Sequence, residues 1–314
     1  MNINVPDCIS IAASNLPKGQ KLATILFALC LCLIFSVSAY GQEHDFEYIG
    51  NHIYLETEVN GKPARLVFDT GAELVYLDSA FVADNGLSFK RIGNAVIDGV
   101  GTDGPGKTKI IFGEVLVSIG GNVYKPEYTP LINLKPLLGE HADGIFGMKA
   151  ISGKIISIDY KNGKFSLYDK LEPHMTQGWH CVPVKFQSRQ ILVPLKVKVN
   201  PQTIISGDAL MDIGSGSGIT FTSPVASAHS LENIEGKEQF ETGGLGGKSA
   251  GYTIPVESAN INGIPIDLES AQSSTDQNGS FATSRYAANV GNEIWSQFDI
   301  ILDLAAGKMY LKKN

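Results

Sequence analysis

The chain has 314 residues and a formal net charge of −7, from 25 lysines and arginines against 32 aspartates and glutamates. Because this balance is acidic and no basic stripe runs along the sequence, nucleic acid is a poor candidate for a partner. The length suffices for one large domain or for two lobes. The 34 glycines are typical of a chain with many tight turns.

The N-terminal stretch is typical of a secretory signal peptide. Lys18 and Lys21 precede the 16-residue apolar run 22–37, and the small-x-small pattern Ala39-Tyr40-Gly41 follows it. We therefore expect residues 1–41 to be removed and the protein to be exported, to the periplasm or outside the cell, with no membrane association after cleavage. The alternative is a retained membrane anchor, since the run approaches the length that spans a bilayer.

Cysteine usage follows from that cleavage. The chain has four cysteines, and three of them lie within the first 41 residues. Only Cys181 remains after cleavage, so the mature chain cannot form an internal disulfide. A chain of this size can be held together by core burial alone.

The rest of the chain is predicted to be all-β. Apolar residues alternate over 53–59, and this run ends in Asn60-Gly61, a strong signal for a hairpin because both residue types tolerate positive φ. The same pair recurs at 162–163 and 262–263. Helical periodicity is limited to short segments, of which 79–85 and 225–231 are the best candidates.

The sequence contains an internal duplication. Asp69-Thr70-Gly71 follows an apolar run, and Asp212-Ile213-Gly214-Ser215 follows another, with the two aspartates 143 residues apart. A second set of residues recurs with a shift of 144: Gly147, Asp159, Gly163, Lys164 and Leu167 return as Gly291, Asp303, Gly307, Lys308 and Leu311. Two copies that each carry one Asp-x-Gly predict a two-lobed molecule with a carboxylate pair at its pseudo-two-fold axis.

The copies define the domain boundaries. We assign residues 42–169 to an N-terminal lobe and 182–314 to a C-terminal lobe. Segment 170–181 between them has no clear periodicity and is interpreted as a connector.

These motifs, in this order, resemble the aspartic peptidase superfamily of pepsins and retropepsins, and in particular its exported bacterial members. The resemblance covers nearly all of the chain after residue 41. It rests on the apolar strand into 69–72, the Gly-rich segment 99–106, the apolar-apolar-Gly element in 143–147 and the strand 156–160. It implies a bilobal acid-protease (pepsin-like) fold with the active cleft between the lobes. Because both halves lie on one chain, we expect a monomer.

The resemblance implies that Asp69 and Asp212 form a catalytic dyad for hydrolysis of a protein or peptide substrate. Two carboxylates held close cannot both ionise cheaply, so the pair retains one proton. The charged member activates a water, and the protonated member stabilises the developing oxyanion. This mechanism predicts no cofactor and no metal.

Other residues would support the dyad. Gly71 and Gly214 leave room for the backbone beside the carboxylates. The resemblance further implies that the Thr70 hydroxyl bonds across to the partner loop and that Ser215 bonds the carboxylate. It also implies flaps that close over substrate, for which the candidates are Gly99, Val100 and Gly101 in the first copy and Gly244, Leu245 and Gly246 in the second.

Ile213 departs from the pattern, which has Thr or Ser after the second aspartate. Losing one buried hydroxyl bond costs about 1–3 kcal/mol when the partner is left unpaired. The rival hypothesis is therefore a non-catalytic exported protein that binds peptides or glycans on a degenerate scaffold of the same kind.

Several other patterns are interpreted as structural. Asp143 has Ala287 as its counterpart, and Asp159 and Asp303 lie in strands that lead into turns. Segment 242–249 is similar to a phosphate-binding loop, but it lacks the first glycine and precedes a strand instead of a helix. The six histidines show no spacing typical of metal ligands.

Overall fold

The computed structural model describes residues 42–97, 106–187, 190–244 and 247–314. The predicted signal peptide, 1–41, lies outside the described residues. The described part of the chain is all-β, with four short α-helices.

Strands β1–β12 lie in the first half: Gln42–Ile49, His52–Val59, Lys62–Asp69, Val75–Asp78, Ile92–Ile97, Gly106–Phe112, Val117–Ile119, Asn122–Tyr124, Tyr128–Ile132, Gly144–Gly147, Ile155–Asp159 and Lys164–Tyr168. Strands β13–β25 follow: His180–Pro183, Lys185–Gln187, Gln190–Lys198, Ile204–Asp212, Ile219–Phe221, Glu238–Gly244, Gly247–Pro255, Ser258–Ile261, Ile264–Ile266, Ser270–Ser274, Ala288–Gly291, Phe298–Asp303 and Lys308–Lys313. Helices α1–α4 span Ser79–Asp84, Lys135–Leu138, Ser223–Ala228 and Asn292–Trp295. Short 3-10 turns cover Met148–Ile151, Pro173–Thr176 and Leu231–Asn233.

The strands form two large mixed sheets. The first runs β13-β25-β24-β11-β12-β1-β2-β3-β10-β4-β9-β6-β5, with β7 and β8 attached through β2. The second runs β18-β19-β22-β17-β23-β16-β15-β20-β21, with β14 attached to β15. Because β13, β24 and β25 belong to the second half of the chain but pair within the first sheet, the two halves share a sheet. Residues 42–314 therefore form one compact unit.

The duplication is visible in the strand pairing. In the first half, β10 lies parallel to β3 and antiparallel to β4, with Gly147 opposite Asp69. In the second half, β23 lies parallel to β16 and antiparallel to β17, with Gly291 opposite Asp212. The prediction of an all-β fold built from two duplicated lobes is confirmed.

The Asn-Gly pairs lie in turns between strands, as predicted. Asn60-Gly61 connects β2 to β3 and Asn262-Gly263 connects β20 to β21, all four residues with positive φ. Helix α1 matches the predicted 79–85, whereas α3 begins at Ser223, two residues before the predicted start. Helices α2 and α4 have four residues each, too short to give a periodic pattern.

The connector 170–181 differs from its prediction at its end. His180 and Cys181 belong to β13, where they pair with Leu311 and Tyr310 of β25. This pairing joins residues about 130 positions apart, so local sequence does not reveal it. Cys181 is exposed and makes no disulfide.

Strand alternation places the aspartates on the face opposite to the main core. Phe68 and Met211 are fully buried in the main core. The neighbouring residues Val67 and Leu210 instead belong to two small apolar clusters outside it. Because successive side chains of a strand point to opposite faces, Asp69 shares the face of Val67, and Asp212 shares that of Leu210.

The glycine that faces Asp212 should not tolerate a side chain. A Cβ at Gly291 would overlap the carbonyl oxygen of Ser217 and lie 2.8 Å from that of Ser215. Replacing Gly291 with alanine should lower the free energy of unfolding by roughly 1–3 kcal/mol, as overpacking does. Urea unfolding measures the change. The control is Gly106→Ala, where the new Cβ meets open space; equal effects of both substitutions would contradict the crowding.

Candidate functional site

The two duplicated aspartates meet. Asp69 ends β3, Asp212 ends β16, and their carboxyl groups are hydrogen-bonded to each other. Each glycine of one loop lies against the carboxyl group of the other: a Cβ at Gly71 would be 2.8 Å from Asp212 Oδ1, and one at Gly214 would overlap the Asp69 carboxyl group. Glycine is therefore required at both positions for the approach of the loops.

Backbone N–H groups surround both carboxyl groups. Oδ1 of Asp69 accepts hydrogen bonds from the N–H groups of Gly71, at 2.7 Å, and Ala72, at 3.0 Å. The backbone N–H groups at the equivalent positions, those of Gly214 and Ser215, lower the pKa of Asp212. Backbone groups two and three residues after each aspartate thus favour its charged form.

The carboxyl pair retains a proton. Both residues are half-buried, and desolvation raises the pKa of Asp69 and of Asp212. The negative charge of Asp212 adds to the effect on Asp69, whose pKa rises to about 8. For Asp212, hydrogen bonds from Asn289 and from Asp69 oppose the rise in pKa. Burial and the repulsion between the two carboxyl groups therefore keep one proton on the pair at mildly acid to neutral pH.

Thr70 links the two loops. Its hydroxyl is fully buried, donates to the carbonyl oxygen of Met211 at 2.9 Å and accepts from the N–H of Ile213 at 2.9 Å. The cross-loop bond expected of Thr70 is thus present. Ile213, the equivalent residue of the second loop, is fully buried in the main core. Because it has no hydroxyl, it cannot form the corresponding hydrogen bonds to the first loop.

Each aspartate loop is also fastened to the residues that follow the apolar-apolar-Gly strand of its own half. The four backbone N–H to carbonyl bonds are Met148 to Ala72 at 3.0 Å, Lys149 to Glu73 at 2.8 Å, Asn292 to Ser215 at 2.7 Å and Glu293 to Ser217 at 3.3 Å.

Polar side chains tie the second loop to the first half of the chain. Asn51 donates from Nδ2 to the carbonyl oxygen of Gly216 at 2.9 Å. Asn292, which is fully buried, donates to the carbonyl oxygen of Asn51 at 2.9 Å and accepts from the Tyr160 hydroxyl. The turn between β1 and β2 therefore holds the loop that carries Asp212.

One supporting residue behaves differently from its prediction. The Ser215 hydroxyl is hydrogen-bonded to Ser217 Oγ at 2.8 Å, and the backbone N–H of Ser215 donates to the main-chain carbonyl oxygen of Asp212 at 3.2 Å. The second serine after the aspartate offers the hydroxyl a closer partner, which a motif match does not reveal.

The predicted flap residues are described only in part. Gly99, Val100, Gly101, Leu245 and Gly246 lie outside the described residues. Gly244 pairs with Gly247 at the end of the β18–β19 hairpin. A side chain at the adjacent Gly243 would lie 3.9 Å from Leu137 Cδ2 of α2, so this hairpin of the second half approaches the first half.

Two residues near the pair were not predicted. Asn289, in β23, donates from Nδ2 to Asp212 Oδ2 at 2.8 Å; a polar residue where the first copy has the apolar Ile145 was an available signal. His52 is half-buried beside the second loop, where a Cβ at Gly216 would lie 2.9 Å from its Cε1, and burial lowers its pKa. Only the fold brings His52 there, because it lies 160 positions from Asp212 in the sequence.

The remaining aspartates of the motifs accept hydrogen bonds from backbone N–H groups. Oδ2 of Asp143 accepts from the N–H of Arg65 at 2.9 Å. Asp159 and Asp303 each accept from a backbone N–H three residues later, at 2.8 and 2.9 Å. The contacts of Asp159 and Asp303 are local, whereas that of Asp143 joins two segments 78 positions apart.

A cavity of about 300 Å³ lies beside the Asp69 loop. Its wall includes Glu73 of that loop, Met148 and Lys149, which are hydrogen-bonded to the loop, and Phe186 and Leu304. Both halves of the chain therefore contribute to its lining.

The described residues contain neither a metal-binding cluster nor a helix that could span a membrane. No group of three or more His, Cys, Asp or Glu side chains there converges on a point where a metal ion could bind. Among the same residues, no helix is long and apolar enough to cross a membrane.

Comparison with known proteins adds no assignment. No family model matches this chain, and a search of curated proteins finds none similar to it in sequence.

The Thr70 hydroxyl should contribute measurably to stability. Thr70→Val keeps the volume but leaves the Ile213 N–H and the Met211 carbonyl unpaired, so the free energy of unfolding should fall by about 1–3 kcal/mol. Thr70→Ser retains the hydroxyl and should lose much less. Denaturant unfolding of the three proteins measures this, and equal losses in both variants would contradict the bonding.

The protonated carboxyl pair predicts a pH-dependent stability. Because the folded-state pKa of Asp69 is raised from 3.8 to about 8, the unfolded chain releases a proton that the folded chain keeps. The free energy of unfolding contributed by Asp69 is thus full below pH 4 and lost as pH rises to about 8. Asp69→Asn mimics the protonated form, so its stability relative to the wild type should grow over this range.

Urea unfolding at pH 4, 6 and 8 measures the difference. Asp303→Asn, a change at a turn carboxylate, is the control and should differ from the wild type by a constant amount. Parallel curves for Asp69→Asn and the wild type would show that Asp69 has an ordinary pKa.

Proposed function

We propose that the protein is an aspartic-type endopeptidase, with Asp69 and Asp212 as the catalytic residues. The observation that carries this proposal is the hydrogen-bonded contact between two carboxyl groups, each from one copy of a duplicated Asp-x-Gly loop. The two-lobed all-β fold supports it, because this fold is what the resemblance to aspartic peptidases implies.

The proposed mechanism needs only the pair and a water molecule. The charged carboxylate accepts a proton from the water as its oxygen attacks the peptide carbonyl. The protonated partner donates a hydrogen bond to the carbonyl oxygen and stabilises the negative charge that develops on it. Retention of one proton up to near-neutral pH favours activity at mildly acid to neutral pH.

The surroundings support a pair that is held rigidly. Thr70 alone makes two cross-loop hydrogen bonds, and the loop of Asp212 is held further by Asn51 and Asn292. These contacts supply the fixed geometry that such a reaction requires, so Ile213 does not by itself exclude catalysis.

The proposed substrate is a protein or peptide in extended conformation. The cavity beside the Asp69 loop and the β5–β6 and β18–β19 hairpins offer surfaces from both halves. We further propose that the protein acts as a monomer, since one chain supplies both aspartates, and that it is exported, on the strength of the segment 1–41.

Digestion of a denatured protein mixture by the purified protein tests the function. We expect cleavage between pH 3 and 8 by the wild type and a loss of at least 100-fold, on the order of a removed general acid or base, in both Asp69→Asn and Asp212→Asn. Asp303→Asn is the matched control and should cleave normally.

Cleavage that survives either dyad substitution would refute the mechanism. A folded wild-type protein that cleaves nothing at any pH would instead favour the rival hypothesis, a non-catalytic protein that binds peptides or glycans. Binding of a peptide library to that inactive protein would then measure the alternative.

A further inference from the structure

A buried asparagine with an unpaired oxygen lies beside Asp212 in β23. Asn289 is only 3% exposed, and its Nδ2 donates to Asp212 Oδ2 at 2.8 Å. Its other polar atom, Oδ1, is buried and has no hydrogen-bond partner. A buried acceptor without a partner is destabilising, so its presence calls for an explanation.

The duplication isolates what Asn289 adds. In the first half, the strand position equivalent to Asn289 holds Ile145: Ile145 lies opposite Val67 in β3, and Asn289 lies opposite Leu210 in β16. Backbone N–H groups two and three residues after each aspartate lower the pKa of both. Among the described contacts of the pair, the amide of Asn289 is therefore a donor to Asp212 that has no counterpart at Asp69.

We propose that Asn289 is a positioning residue that breaks the symmetry of the carboxyl pair, keeping Asp212 as the charged member and leaving the shared proton on Asp69. A hydrogen bond donated to a carboxylate favours its charged form. Asp69 then donates its proton toward Asp212. The opposite orientation of the Asn289 amide would place Oδ1 against Asp212 Oδ2, which is favourable only if Asp212 carries the proton.

The effects on the two pKa values agree with this arrangement. Burial raises both values, but the bonds from Asn289 and Asp69 counteract the rise at Asp212. At Asp69, the charge of Asp212 and the hydrogen bond to it both add to the rise. In the proposed reaction, Asp212 would thus be the base for the water and Asp69 the donor to the carbonyl oxygen.

Of the other titratable groups around the pair, the tyrosines do not produce the same asymmetry. Tyr76 interacts with Asp69 and Tyr286 with Asp212, and burial raises the pKa of each to about 12, so both are neutral. Glu73 interacts with Tyr76. His52 interacts with Asp212, and burial lowers its pKa. It is neutral at neutral pH, but at acid pH its charged form also favours the charged form of Asp212. His52 therefore needs a control variant.

Proton placement can be measured without activity. The carboxyl carbons of ¹³C-labelled aspartates in the full-length protein are titrated from pH 3 to 9, with Asp69→Asn and Asp212→Asn identifying the two signals. We expect Asp212 to account for most of the first deprotonation step and Asp69 for the second. The reverse order in the wild type would overturn the proposal.

Asn289→Leu removes the donor at similar volume. The first deprotonation of the pair should then occur about one pH unit higher, a tenfold change in the dissociation constant. The carboxyl carbons of both aspartates should change their signals in this step. Asn289→Ile, which reproduces the first-half residue, serves if the leucine variant does not fold. His52→Gln should keep the wild-type order. Titration of either Asn289 variant identical to that of the wild type would refute the role of Asn289.

The link to catalysis rests on the proposed function and is tested separately. If the protein cleaves peptides, the acid limb of its kcat/KM profile should shift up by the same amount in Asn289→Leu, with KM little changed. If Asn289 had a purely structural role, Asn289→Leu would lower the fraction of active protein without shifting the acid limb of the profile. That result would overturn the proposed link. If the wild type cleaves nothing, the proposed peptidase function is refuted. The titration of the carboxyl carbons still shows which aspartate carries the proton.

Discussion

The contact between two carboxyl groups is the constraint on which the rest of the structure depends. Two carboxylates repel each other unless a proton is shared. Holding the two groups together therefore keeps one of them from ionising. Gly71 and Gly214 allow the approach because any side chain there would overlap the opposite carboxyl group. Thr70 then fixes the loops to each other with two hydrogen bonds.

The sheets make this contact rigid. Each aspartate ends a strand that is paired in parallel with an apolar-apolar-Gly strand, whose glycine lies opposite the aspartate. The first sheet includes β13, β24 and β25 from the second half, so the halves are joined by continuous backbone hydrogen bonding as well as by the loops. Movement of one aspartate relative to the other would require disruption of these pairings.

The two copies differ in residues that contact the pair. Thr70 corresponds to Ile213, and Ile145 corresponds to Asn289. The second half has thus lost a hydroxyl that crosses to the first loop and has gained an amide that bonds its own aspartate. A symmetric scaffold with asymmetric donors provides two carboxyl groups with different affinities for a proton, which is the property that a charged and a protonated partner need.

The sequence by itself determined the duplication, the all-β class, the Asn-Gly turns and the meeting of Asp69 with Asp212, because these follow from local patterns that occur twice. Only the tertiary structure decided the neighbours of the pair. Asn289 and His52 reach Asp212 through strand pairing and a turn that lie far away in the sequence, and the Ser215 hydroxyl bonds Ser217. The physical reason is that a motif specifies residue types along the chain, whereas hydrogen-bond partners and desolvation depend on distant segments packed around them.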